Sequence, residues 1–301
     1  MGVLVHKDFD FIVQGITGRE AVNFTRECLE YGSRIVGGVT PGKGGREVYG
    51  VPVYNTVREI TEQRKVDGSV ITVPLAFAAD AAYEAIDAGI KLLVIITEGI
   101  CRRDAAAFIE YAAQHDARVI GPNCLGIIIP DVCRFGSRGG PAVDCRKAFK
   151  PGVVGVMSRS GGMTTEICNA LSQSGLGEST AISIGGDPVI GSTYAELMPY
   201  FEADEDTKAV VIYSEPGGSS EAELARWAKE NNSRLPIVAF VAGRFMDDMH
   251  GMSFGHAGTI VEKKLDSPAD KIRRMRDAGI SVADEIGDIP RLVQERLDGA
   301  A

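Results

Sequence analysis

The chain has 301 residues, enough for two domains of ordinary size, and its apolar fraction of 45% and charged fraction of 24% are those of a globular protein with a substantial core. No apolar run is long enough to span a bilayer. The formal charge of −9 disfavours nucleic acid and anionic membranes as partners, so an anionic ligand must be held by local donors against the overall field.

The N-terminus, MGVLVHKDFDF, carries no cleavable signal pattern, and His6 stands where N-myristoylation wants Ser or Thr. A cytoplasmic protein is expected, or a mitochondrial-matrix one in its mature form. The cysteines (Cys28, Cys101, Cys124, Cys133, Cys145 and Cys168) form no CxxC pair, which argues against a zinc site or a disulfide framework. Cys124 reads as a small buried thiol in a loop rather than a nucleophile.

In chain order, DFIVQ (10–14) predicts a strand, GITG a turn, and the stretch to Tyr31 a helix. Strands follow at RIVGGVT (34–40), SVITVP (69–74), LLVIIT (92–97) and RVIGPN (118–123), with an alanine-rich helix through Ala88 and another near 103–114. Such continuous apolar runs suit a parallel sheet covered on both faces, and their alternation with helices predicts a doubly wound α/β domain. Residues 124–150 break the rhythm with Gly, Pro and Arg. The pattern then restarts with VVGVMS (153–158), TAISIGG (180–186), AVVIYS (209–214), PIVAFVAG (236–243) and GISVAD, with a helix near 267–278 and one at the C-terminus. The expected layout is a first α/β domain over 1–130, a linker over 131–150 and a second parallel α/β layer of about five strands over 151–301.

In open α/β sheets ligands bind beyond the carboxyl ends of the strands, so function is sought in the loops there. GITGRE (15–20) occupies the phosphate position of a Rossmann unit with only Gly15 and Gly18 of the glycine fingerprint; a plain tight turn is the alternative. GGVTPGKG (37–44) approaches a P-loop, but Gly44 stands where Ser or Thr is required and no helix opens after it, so an NTP loop is rejected. Lys43 remains a candidate for a ligand phosphate, with a solvated lysine as the alternative. SRSGGMTTE (158–166) joins a strand to a helix; Ser158, Ser160, Gly161 and Gly162 there make an anion cradle. The segment lacks the first glycine of a Gly-x-Ser-x-Gly pattern, which argues against a nucleophile elbow. Glu215, in SEPGG, is either a residue of a helix cap or a functional carboxylate.

His256 lies in FGHAG, flanked by Gly255, Ala257 and Gly258. A metal would need further ligands, and His250 with Asp247 and Asp248 is an unconvincing set. Small neighbours suit an imidazole that must face a bulky tetrahedral group, and neutral imidazole is a phosphoryl acceptor near neutral pH. A carboxylate on its other ring nitrogen would fix the tautomer, and Glu215 is the candidate.

Together, VGGVTPGKGG (36–45), VPVYNTVRE (51–59), AIDAGIKLLVIITEGI (85–100), IGPNC (120–124), SRSG (158–161), IGGDP (184–188), PGGSSE (216–221) and GHAG (255–258) resemble the α subunit of succinyl-CoA synthetase over nearly the whole chain. The resemblance implies a Rossmann-like CoA-binding domain followed by a flavodoxin-like doubly wound parallel-sheet ligase domain. It implies that His256 is a phosphohistidine supported by Glu215, with Thr17, Gly18, Arg19, Glu20, Lys43, Ile96, Thr97 and Glu98 at the CoA-binding positions. The phosphoryl group would be received at Ser158, Ser160, Gly161 and Gly162. It further implies an ATP-grasp β subunit, in an αβ or α2β2 assembly, carrying ATP or GTP with Mg, and a small carboxylic acid as substrate.

Three departures bear on the substrate. Ala21 and Val22 replace a glycine and a threonine of the family's first loop, Thr165 stands at its substrate-site tyrosine, and RFMDDMHGMSF (244–254) replaces a basic segment. SRSGGM and FGHAG look more like the CoA-ligase module of ATP-citrate lyase, without that enzyme's citrate-synthase-like module. Succinate is the expected acid, with a citryl-CoA or malyl-CoA synthetase subunit as the alternative and a non-catalytic CoA-binding protein as a reading of another class. An NAD-dependent dehydrogenase is disfavoured by the incomplete glycine fingerprint.

Overall fold

The computed structural model describes residues 2–137, 139–248, 255, 256, 259 and 267–299. The expectations placed on Ala257, Gly258 and His250, and on 249–254 of the altered segment, lie outside the described residues. The N-terminal half runs β1 (Asp10–Gln14), α1 (Arg19–Tyr31), β2 (Arg34–Val39), β3 (Glu47–Val48), β4 (Val51–Tyr54), α2 (Val57–Thr61), β5 (Gly68–Ile71), α3 (Ala78–Asp87), β6 (Leu92–Ile95), α4 (Arg102–Gln114) and β7 (Arg118–Ile120). The remainder runs β8 (Gly126–Ile129), β9 (Cys133–Phe135), α5 (Ala142–Ala148), β10 (Pro151–Ser158), α6 (Gly161–Gln173), β11 (Glu178–Ser183), α7 (Tyr194–Ala203), β12 (Ala209–Ser214), α8 (Ser220–Asn231), β13 (Ile237–Val241), α9 (Pro268–Asp277), β14 (Ser281–Ala283) and α10 (Ile289–Asp298). No helix among the described residues is long and apolar enough to cross a membrane.

The first sheet has the order β3-β4-β2-β1-β5-β6-β7, parallel except where β3 pairs with β4. Leaving out β3, its strands lie 3-2-1-4-5-6 in order of appearance, the Rossmann winding. The second sheet has the order β14-β13-β12-β10-β11-β8-β9. Its five parallel strands lie 2-1-3-4-5 in order of appearance, the flavodoxin-like winding. Strands β5, β6, β8, β11 and β12 are buried at every residue, and β6 (LLVI) and β12 (AVVIYS) are accordingly almost wholly apolar. Helix ends follow local chemistry: Gly32 adopts φ +101° to cap α1, and Thr193 with Glu196 forms a capping box at the start of α7.

Two details differ from the sequence reading. The strands expected over 69–74, 92–97 and 118–123 stop at Ile71, Ile95 and Ile120, and their last residues turn out of the sheet as loops. The boundary near residue 130 and the linker over 131–150 do not match the sheets. Hairpin β8–β9 pairs antiparallel with β11 as the edge of the second sheet, and α5 occupies the rest of the segment. Its glycines suggested irregular chain, but they are what lets the hairpin close. At Gly126 (φ +91°) a Cβ would fall 2.1 Å from the Phe135 carbonyl oxygen, and at Gly136 (φ +129°) one would fall 2.5 Å from the Leu125 carbonyl oxygen. Nothing in the local pattern predicts β3–β4, because strands this short leave no periodicity.

The hairpin also joins the two sheets. Phe135 is fully buried and meets Phe9 and Phe11 edge-on, at 5.0 and 4.8 Å between ring centroids. One apolar cluster therefore runs from β1 and α1 through the hairpin to β10, β11 and β12. Removing the ring leaves a cavity at this junction, so Phe135→Ala is expected to cost ~3–5 kcal/mol. Urea denaturation checks this; a loss below about 1 kcal/mol would mean the junction relaxes around the void.

Candidate active site

In both windings the strand order reverses beside the first strand of the sheet, and the loops at that point face each other across a crevice. In the second sheet β10 lies between β11 and β12, and Ser158 at its end is in register with Ser183 on one side and Tyr213 on the other. The loops carrying SRSG, IGGDP and SEPGG thus leave the sheet side by side. Arg159 N–H donates to the Tyr213 carbonyl (3.2 Å) and Ile184 N–H to the Ser158 carbonyl (2.8 Å), which ties their first residues together.

Glu215 is the first residue beyond β12, and its carboxylate meets the Nδ1 of His256 at 2.8 Å from Oε2 and 3.0 Å from Oε1. Against a carboxylate acceptor Nδ1 must carry the proton, leaving the Nε2 lone pair available in the neutral ring. The hydrogen bond to Glu215 holds the imidazole pKa above its ordinary value, while partial burial and the Arg159 guanidinium act in the opposite direction. The pair is sheltered but reachable: the His256 side chain is 28% exposed and that of Glu215 14%. Thr259 N–H donates to the His256 carbonyl at 2.9 Å.

The ring rests on Gly186 of the IGGDP loop. A Cβ there would lie 2.7 Å from the His256 Cγ and Cδ2, so only glycine lets the imidazole approach the backbone this closely. Beneath Glu215 sits a buried ammonium that local sequence reading does not find. Lys271 of α9 donates to the carbonyls of Glu215 (2.8 Å) and Gly217 and to Glu221 Oε2 (2.7 Å). Lys271 and Glu221 are each 3% exposed, and the second Glu221 oxygen accepts from Ser214 Oγ. These bonds fix the SEPGG turn from below.

The SRSG residues form the N-terminus of α6. Ser158 Oγ donates to the Ser160 carbonyl and accepts from Ser160 N–H, while Ser160 Oγ caps Met163 N–H. Gly161 and Gly162 open the first turn, where helix N–H groups lack intrahelical partners. Thr165 lies one turn further along the same helix, half-buried.

The candidate CoA residues gather beyond the first sheet. Lys43 Nζ donates to Thr17 Oγ1 (3.0 Å), and Thr17 donates to Thr40 (3.2 Å), so the two candidate loops do meet. The glycine-rich loop is clipped by Asn55, whose Oδ1 accepts from the N–H groups of Gly42 and Gly44, a partner the motif did not announce. Gly18 is the N-cap of α1 without a side-chain bond, and Arg19 and Glu20 are exposed beside it. Ile96 and Thr97 lie in the loop that follows β6, Thr97 donating to the Val73 carbonyl (2.8 Å), with Glu98 exposed beside them. Cys124 is buried, its thiol directed at the Ile95 and Ile120 carbonyls.

The Lys271–Glu221 pair makes a measurable demand. Lys271→Met strands a buried carboxylate and is expected to cost ~3–5 kcal/mol, whereas adding Glu221→Leu removes the stranded charge and restores most of the loss. Equilibrium unfolding of the two single variants and the double variant checks this; a double variant whose loss equals the sum of the two single losses would show that the pair is not energetically coupled.

Comparison with known proteins gives the arrangement its context. Residues 6–99 match the family model for a CoA binding domain, and residues 157–281 that for a CoA-ligase. The chain is 42% identical over 298 residues to a succinate–CoA ligase [ADP-forming] subunit alpha 1 of Archaeoglobus fulgidus, covering 99% of both chains. It is 42% identical over 289 residues to the corresponding alpha subunit of Staphylococcus epidermidis, covering 96% of this chain and 93% of the other. Among solved structures, ATP citrate lyase of Methanosaeta concilii in complex with (3S)-citryl-CoA superposes with a TM-score of 0.91 at 25% identity. That match covers 99% of this chain and 51% of the lyase, so the chain spans about half the length of that enzyme. With a CoA binding domain, a CoA-ligase domain and relatives matched almost end to end, the chain belongs to the succinate–CoA ligase α-subunit family of acid–thiol ligases.

Proposed function

We propose that this chain is the catalytic α subunit of an NDP-forming acid–CoA ligase in which His256 carries the phosphoryl group. The observation that carries the reading is the Glu215 carboxylate on His256 Nδ1, which leaves Nε2 as the nucleophile. Nε2 attacks the terminal phosphorus of ATP or GTP, held with Mg on an ATP-grasp β subunit, and NDP leaves. The ring then bears a positive charge, which the Glu215 carboxylate balances without moving the Nδ1 proton. A substrate carboxylate oxygen next attacks phosphorus, the P–N bond breaks, and an acyl phosphate forms with neutral imidazole restored. The CoA thiol attacks the acyl carbon, the bond to the phosphate oxygen breaks, and the thiol proton passes to the departing phosphate.

The other residues divide between the two sheets. The N-terminus of α6, with Ser158, Ser160, Gly161 and Gly162, offers dipole and N–H groups to the phosphoryl group in transit. Thr17 and Lys43 supply donors for CoA phosphates beside Gly18, Arg19 and Glu20, and Ile96, Thr97 and Glu98 supply the remaining CoA contacts from the loop after β6. Succinate is the acid named for the relatives that match over nearly their whole length. The naming of those relatives as alpha subunits supports a β partner, which we place in an αβ or α2β2 assembly. A citryl-CoA synthetase is the second reading, favoured by the close superposition on ATP citrate lyase and by the small Thr165 on α6.

The test uses the chain co-expressed with its β subunit and given labelled ATP. Acid-labile label is expected on the wild type and not on His256→Asn, and succinate with CoA is expected to discharge it. Discharge by citrate instead would select the second reading, and an assembled complex that takes no label would reject the carrier role.

The Glu215 contact also sets a pH dependence. A raised imidazole pKa means that labelling falls as pH drops through that raised value, because the protonated ring has no free lone pair. Glu215→Gln removes the main cause of the increase, so the acid limb is expected to move to lower pH while the plateau rate falls about 10²–10⁴-fold. The labelling rate measured from pH 5 to 9 checks both; an unmoved acid limb would show that Glu215 does not control the titration.

A further inference from the structure

Asp187 is 1% exposed, yet its described carboxylate partners are all neutral N–H groups. Oδ2 accepts from the backbone N–H of Gly99 (2.9 Å) and Ile100 (3.3 Å), and Oδ1 accepts from Asn123 Nδ2 (3.1 Å). Every one of these donors belongs to a loop of the first sheet, 64 to 88 residues away in sequence. A buried carboxylate costs desolvation and is retained where several donors satisfy it, so these bonds are strong ones. They are also reciprocal. Asn123 N–H donates to the Thr97 carbonyl (3.1 Å), and Gly186 N–H donates back to the Asn123 carbonyl (2.9 Å). Arg159 holds the Asp187 carbonyl from the other side (3.0 Å).

Gly186, covalently next to Asp187, is the seat of the His256 ring, and Gly99 and Ile100 directly follow the Ile96-Thr97-Glu98 stretch. We propose that Asp187 is a positioning residue that holds the CoA-facing loop of the first sheet in register with the seat of the imidazole, so that the thiol meets the acyl phosphate. This rests on the proposed ligase function. It gives the IGGDP loop two distinct tasks: Gly186 admits the ring, and Asp187 anchors the partner loop. Because the anchor acts on the CoA side, its loss should affect the CoA step far more than the phosphorylation step, which needs only the nucleotide and the β subunit.

The experiment compares wild type, Asp187→Ala and Asp187→Asn in the assembled α–β complex. Three quantities are read: labelling of His256 by ATP alone, the CoA Kd by calorimetry, and KM against kcat for CoA at saturating acid. For Asp187→Ala the expectation is a rise of tenfold or more in Kd and KM for CoA, with labelling within threefold of wild type. Asp187→Asn keeps an acceptor for Gly99 and Ile100, and Asn123 can turn its amide to match, so near-wild-type CoA affinity is expected. CoA Kd and KM within twofold of wild type in Asp187→Ala would overturn the proposal, and so would a loss of labelling as large as the loss of CoA affinity, which marks a general structural defect. If Asp187→Ala does not assemble, Asp187→Ser, which is too short to reach Gly99, is read against the same limits. A wild-type complex that neither takes label nor binds CoA would reject the ligase reading itself; a wild type that does both, beside an unaffected Asp187→Ala, would reject only the anchor.

Discussion

A carboxylate pressed against one nitrogen of an imidazole decides which nitrogen remains for chemistry, and much of the second sheet is arranged around that contact. Glu215 stands directly beyond a buried strand, so its backbone has little freedom. Lys271 grips the carbonyls on either side of the turn and is itself neutralised by Glu221. Gly186 supplies a flat surface for the ring to rest on. Each of these supports the same geometry from a different element, Lys271 and Glu221 from below the Glu215 turn and Gly186 from beneath the ring.

The second constraint is that the two sheets must meet with fixed register. In the proposed reaction a CoA thiol held by one sheet has to reach chemistry prepared by the other, and an error of about 1 Å in such an alignment costs on the order of a hundredfold in rate. Two kinds of contact set this alignment. At one level Phe135, Phe9 and Phe11 interlock within a shared apolar cluster. Closer to the site, the Asp187 carboxylate accepts directional hydrogen bonds from Gly99, Ile100 and Asn123 in the loops of the first sheet, and Gly186 N–H donates to the Asn123 carbonyl. Apolar packing supplies most of the free energy, whereas hydrogen bonds of defined direction fix the orientation.

An overall charge of −9 and anionic ligands would conflict if the long-range field decided binding. It does not, because the field between exposed charges is screened within about 10 Å while donors at a loop act at contact distance. Lys43 beside Thr17, the first turn of α6 and Arg159 near His256 concentrate positive potential where strand ends open into loops. Both parallel windings place those loops at a reversal of strand order, which is where such a fold leaves a crevice.

Sequence by itself determined the two parallel layers and the strand ends at which to look, and it offered Glu215 only as a candidate partner for His256, which the family resemblance also implied. The physical reason is that buried parallel strands need unbroken apolar runs, that glycine-rich loops are required wherever backbone must approach a ligand, and that an imidazole among very small neighbours is unusual in local composition alone. Tertiary structure decided the rest. The hairpin β8–β9 was hidden because its glycines signal a loop until the close approach of its two strands is seen. Asn55 does not stand out in sequence, and Lys271 and Glu221 look like any surface pair on two helices until burial removes water from both. IGGDP was legible as a motif, but which of its residues touches the ring and which reaches the other sheet was not. Those roles depend on groups brought together from positions 64 to 88 residues apart, a proximity that only the folded chain creates.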